Sequence, residues 1–120
     1  MPISVSGELG NISVTNDIIA TIAGYATIEN YGIVGMASQR ITADGIAELL
    51  GRENLKKGVV VTTVEDRITI DLYVIVEYGV SISAVAQNVI QNVTYRIKDL
   101  TGFIVEAVNV HVEGVRVQQS

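Results

Sequence analysis

Residues 68–79 read Ile-Thr-Ile-Asp-Leu-Tyr-Val-Ile-Val-Glu-Tyr-Gly, a long strand with apolar character on both faces. Period-two geometry places Ile68, Ile70, Leu72, Val74, Val76 and Tyr78 on one face with no polar interruption. The other face carries Thr69, Asp71, Tyr73, Ile75 and Glu77, polar toward its ends and apolar at its centre. A strand of this kind needs cover on both sides. The helical segments of the chain suffice for one side only. The mismatch points to a protein that works by binding other proteins.

Length sets the frame for that strand. A chain of 120 residues suits a single domain spanning 1–120 with its core over about 8–117, and no segment has linker composition. At this size folding buries roughly two thirds of the surface of the unfolded chain, so a core forms without staples. There is no cysteine, hence no disulfide frame, thiolate nucleophile or cysteine metal site. The start, Met1-Pro2-Ile3-Ser4-Val5-Ser6-Gly7-Glu8, has no basic stretch followed by an apolar run, so no signal peptide is read there. Mean hydropathy is high at +0.40, yet the apolar residues form short valine and isoleucine runs, which is strand composition and not that of a membrane span. The absence of cysteine suits a reducing cytosol.

Formal net charge is −5. The basic residues Arg40, Arg52, Lys56, Lys57, Arg67, Arg96, Lys98 and Arg116 are scattered, with one local grouping from Arg52 to Lys57. An acidic chain without a basic stripe is repelled by phosphate backbones and anionic lipid. Direct binding of nucleic acid or lipid is therefore disfavoured.

Along the chain, Gly10–Val14 alternates as a short strand. Thr15 or Asn16 then caps a helix with Asp17 in its first turn, where the helix dipole favours an anion. Ile18, Ile19, Ile22, Ala23 and Ala26 form its buried stripe, and Gly24 allows close packing against the sheet. Gly32–Ala37 is a glycine-bounded buried strand. Thr42–Leu50 reads as a second, shorter helix ended by Gly51. Val59–Val64 and Arg67–Tyr78 flank Glu65-Asp66, a two-residue hairpin turn. Ser81 or Ser83 starts the longest helix, with Ala86, Val89, Ile90, Val93, Ile97 and Leu100 at three- or four-residue spacing and Gly102 as its left-handed stop. A last strand runs from Phe103 to about Val117. The order β-α-β-α-β-β-α-β gives an α+β, two-layer domain: a mixed β-sheet with helices packed mainly on one face, the other face open.

Candidate chemistry is sparse. His111 is the sole histidine and lies on the polar side of an alternating strand between Asn109 and Glu113, which reads as an exposed strand histidine in preference to a catalytic base. One histidine without cysteine leaves zinc no ligand set. Asp71 and Glu77 are on one strand roughly 20 Å apart, too far to act as an acid/base dyad. Gly32-Ile33-Val34-Gly35 matches the bare G-x-x-G of KH domains, but two apolar residues between the glycines favour a packed turn and strand over a nucleotide clamp. No cofactor is indicated. Tyr73 and Ile75 carry the best functional reading: an apolar spot rimmed by Asp71, Glu77, Asn109 and His111, which is the anatomy of a contact surface. The competing reading has the second helix or an N-terminal arm folding over this face as ordinary core.

Four motifs occur in order: Gly10–Val14; Tyr31-Gly32-Ile33-Val34-Gly35-Met36-Ala37-Ser38; Asp71-Leu72-Tyr73-Val74-Ile75-Val76-Glu77-Tyr78-Gly79; and Val108-Asn109-Val110-His111-Val112-Glu113-Gly114-Val115-Arg116-Val117. On these the chain resembles the alkaline-shock, or envelope-stress-response, proteins of Gram-positive bacteria, in their YloU-like branch, over about residues 8–117. The resemblance implies a small cytoplasmic protein with no known catalytic activity. It also implies self-association, or attachment near the membrane through a separate membrane-anchored partner, with envelope homeostasis or control of a lipid-metabolism enzyme as the setting. It supplies no catalytic residues. The expectation is a non-enzymatic scaffold, homo-oligomeric or docked on a partner through Asp71, Tyr73, Ile75, Glu77, Asn109 and His111. A KH-like RNA-binding module is the alternative.

Overall fold

The computed structural model describes residues 3–7, 9–41 and 47–117. A hairpin of β1 (Ile3–Gly7) and β2 (Gly10–Val14) leads into helix α1 (Asn16–Ile28). Then follow β3 (Ile33–Ile41), β4 (Ala47–Leu49), a 3-10 segment over Arg52–Gly58, β5 (Val59–Val64), β6 (Arg67–Glu77), α2 (Ile82–Thr101) and β7 (Val105–Arg116).

β6 organises the main sheet. β7 runs parallel to it along Ile68–Glu77, which occupies one whole edge. The opposite edge is divided: β5 pairs antiparallel with Arg67–Leu72, and β3 pairs antiparallel with Val74–Val76. β3 leaves the sheet after Met36 and continues as a hairpin with β4, where Ala37 faces Leu49. Gly58 sits at the changeover. A Cβ there would lie 2.9 Å from the Ala37 carbonyl oxygen and 3.0 Å from the Met36 Cβ, so only glycine lets β5 begin where β3 departs.

The helices start and stop as their residues dictate. Thr15 caps α1 and its side chain accepts the Ile18 N–H; Ser81 caps α2 and accepts the Ala84 N–H. Gly102 ends α2 at φ 82°. At the end of α1, Asn30 is 8% exposed and donates to the carbonyls of Ala26 at 2.8 Å and Thr27 at 3.1 Å, satisfying orphan acceptors of the last turn. The Asn92 side-chain amide of α2 donates to the Asn30 Oδ1, locking the two helices together.

Both helices cover one face of the sheet. Ile68, Ile70, Leu72, Val74 and Val76 meet Ile19, Ala23, Val85, Val89, Val93 and Ile97 in a single core. Burying the four α2 side chains contributes on the order of 10 kcal/mol before entropy is subtracted. The even-numbered face of β6 is therefore the core face through Val76. Tyr78, expected on it, lies beyond the strand and is exposed.

The two-layer α+β architecture follows the expectation, with four local corrections. β1 adds a strand that the sequence reading lacked. The helix expected over Thr42–Leu50 is absent where the chain is described: Ala47–Leu49 is a strand paired with β3, and residues 42–46 lie outside the described residues. Gly24 packs against the 3-10 segment, not the sheet, since a Cβ would stand 3.1 Å from the Leu55 Cβ. In the helical stripes, Ile18 and Leu100 are exposed, while Val85 is buried. Val85, Val89, Val93 and Ile97 are spaced by four, and that row faces the sheet.

Candidate functional site

The sheet face away from the helices carries the residues singled out from the sequence. Register sets three of their pairings: Asp71 with Asn109, Tyr73 with His111, and Ile75 with Gly114. Neighbouring strands are about 4.8 Å apart, so the Tyr73 and His111 rings stand side by side. They stack with centroids 4.7 Å apart and planes 13° from parallel. The Asp71 carboxylate lies 2.9 Å from the His111 Nε2 and accepts a 3.2 Å hydrogen bond from the Asn109 Nδ2. Four of the six candidates thus form one connected cluster, held by side-chain contacts across two strands.

The cluster is half open. His111 and Asn109 are exposed, while Tyr73 and Asp71 are half-buried. Ile75 departs from expectation: it is 1% exposed and cannot form the centre of an exposed apolar spot. The cause lies in its neighbours. Gly35 and Gly114 flank it on the adjacent strands and project no side chain. Leu49 of β4 leans into the gap over Gly35, with its Cδ1 2.7 Å from where a Cβ would stand. The 47–49 segment thereby shields the Ile75 end of the face, as the competing reading had it for that segment, and leaves the Tyr73 end uncovered. Glu77 lies further along β6, opposite Arg116 and apart from the cluster.

A histidine beside an aspartate orients an imidazole, but hydrolytic use requires a nucleophile on the other ring nitrogen. Among the described residues no hydroxyl is hydrogen-bonded to His111; its neighbours are Asp71 and the Tyr73 ring. No group of three metal-ligating side chains occurs among the described residues. The arrangement provides ring edges, an imidazole nitrogen, an amide and a carboxylate on a flat surface. These are the elements of a polar-rimmed protein contact.

The glycine pair has a structural role. Gly32 adopts φ 89°, and a Cβ there would be 2.6 Å from the Val85 Cγ2. Its carbonyl accepts the Glu77 N–H at 2.8 Å, and the Ile33 N–H donates to the Asn30 carbonyl. Gly35 lies inside β3. These backbone groups are spent on the turn and strand, the packed arrangement favoured from the sequence. One feature had no usable signal in the sequence, the closeness of Leu49 to Gly35 beside Ile75, because it depends on strand pairing.

Comparison with known proteins bears on the whole chain. A family model described as having a cell envelope-related function matches residues 4–117. The chain is 44% identical over 117 residues to the uncharacterized protein YloU of Bacillus subtilis strain 168, covering 98% of each. It is 36% identical over 117 residues to the uncharacterized protein Spy1614 of Streptococcus pyogenes serotype M6, covering 98% of this chain and 97% of that one. The uncharacterized protein YqhY of B. subtilis is 35% identical over 109 residues, covering 91% of this chain and 79% of that one. No solved structure matches significantly. A four-motif resemblance and a family match from residue 4 to residue 117 converge on one conclusion: the chain belongs to the alkaline-shock-protein 23 family, whose function is related to the cell envelope.

Proposed function

We propose that the protein is a non-enzymatic scaffold of the cell-envelope system. It acts in the cytoplasm through protein contacts on the sheet face away from the described helices, by self-association or by docking on a membrane-anchored partner. The observation that carries this reading is the Tyr73–His111 stack with Asp71 and Asn109, a built side-chain cluster on the sheet face away from the described helices. Aromatic side chains with a polar tip are enriched at contact surfaces because one side chain supplies both apolar area and a hydrogen bond. Among the described residues no helix is long and apolar enough to cross a membrane.

A double variant, Tyr73→Thr with His111→Thr, removes both rings and keeps side chains that suit a strand. The wild type is expected to run in solution as a multiple of its 12.9 kDa protomer, or to recover a partner on in-cell crosslinking. The double variant should lose about tenfold or more of that association, in line with hot-spot aromatics, while its circular dichroism stays unchanged. Unchanged solution mass together with unchanged partner recovery would contradict the proposal.

A further inference from the structure

A second surface feature lies at the far end of β6, outside the Tyr73–His111 cluster. Ile33 pairs with Val76, and the Glu77 N–H bonds to the Gly32 carbonyl. Tyr31 and Tyr78 lie in the turns just beyond these paired residues. Both tyrosines are strongly exposed, Tyr31 at 80% and Tyr78 at 72%. They line an open cleft of about 410 Å³ together with Glu77, Val80, Ser81 and Asn88. Glu77 is the single charged side chain in that lining and makes no ion pair among the described residues. Arg116 stands opposite it on β7, outside the lining.

Two exposed aromatic rings beside a carboxylate suit a cation. Ring faces attract an ammonium or guanidinium group through their quadrupole, and the carboxylate adds a full charge. The first turn of α2 opposes this, since Ser81 stands at its N-terminus. A helix N-terminus carries about half an elementary positive charge, and the Ser81 hydroxyl already engages one of its free amides. The whole unit of charge on Glu77 outweighs it. At longer range the net charge of −5 draws basic segments toward the molecule and repels anionic surfaces.

We propose that the cleft lined by Tyr31, Glu77 and Tyr78 receives a lysine or arginine side chain from a basic segment of a partner protein. The occupant is cationic, and its aliphatic stem packs along Val80 while its head meets Glu77. This site is independent of the sheet-face contact.

The test uses the full chain, labelled with nitrogen-15 and titrated with acetyl-Gly-Lys-Gly-amide. The same peptide with norleucine for lysine, and choline chloride, serve as comparisons. Saturable shifts are expected at Gly32, Glu77, Tyr78, Gly79 and Val80 with the lysine peptide. Tyr31→Ala, Tyr78→Ala and Glu77→Gln should each weaken binding about 2- to 30-fold, the range of cation–π energies, with distant resonances unmoved. The Tyr73→Thr/His111→Thr variant should bind the peptide as the wild type does, which separates this site from the sheet face. Absence of saturable shifts at these residues would overturn the proposal. So would equal binding of the norleucine peptide, choline binding as tight as lysine, or a Glu77→Gln variant that binds unchanged.

Discussion

Ile75→Glu is expected to cost about 3–5 kcal/mol of stability, the range for a buried charge left without a partner. Against a typical total of about 5–15 kcal/mol, that loss leaves a large unfolded fraction at 37 °C. The reason is local. Ile75 is 1% exposed in the central strand, with Gly35 and Gly114 beside it and Leu49 closing over the gap. Tyr73 lies two residues away on the same face, half-buried and stacked on an exposed ring. Tyr73→Thr is therefore expected to cost only about 1 kcal/mol, the span of strand preferences. Urea denaturation of both variants checks the contrast. Equal midpoints would mean that Ile75 belongs to the open surface after all.

Gly32→Val should be nearly as damaging, at about 3 kcal/mol or more. A β-branched residue at φ 89° is strained, and its Cβ would stand 2.6 Å from the Val85 Cγ2, forcing α2 away from the sheet. Thermal unfolding should shift down by at least about 10 °C. A variant that melts like the wild type would show that Gly32 is not held by packing and would reopen a ligand role for the glycine pair.

Much of this molecule is legible in its sequence, because local rules and the global fold agree. The even face of β6 is core because five apolar residues at period two admit no other burial. Ser81 and Gly102 bound α2 because each satisfies helix-end groups in its own way. The Glu65-Asp66 hairpin forms with both residues at positive φ, 48° and 66°, as its two-residue length requires. What the sequence hides is set by pairing. The segment 47–49 has apolar residues at spacings that suit a helix, yet its partner strand draws it into a ladder. The burial of Ile75 depends on glycines from two other strands and on Leu49, none of them its sequence neighbours. The candidate site was visible as a list, since Asp71, Tyr73, Asn109 and His111 alternate on two strands. Its geometry required the parallel register of β6 and β7, which aligns residues 38 apart. Glu77 was placed on the right face but serves a different neighbourhood, with Tyr31 and Tyr78.

In the proposed function, the sheet face away from the described helices is where this protein meets other proteins. A photo-crosslinking amino acid placed at Ala107 tests it most directly, since Ala107 is exposed and lies opposite Thr69 on that face. The same probe at Gln91, exposed on α2, reports the helical side. Illumination in living cells should give a discrete crosslinked species from Ala107, either a second copy of the chain or a membrane-anchored protein, and none from Gln91. Crosslinking from Gln91 with none from Ala107 would place the contact on the helices and contradict the account.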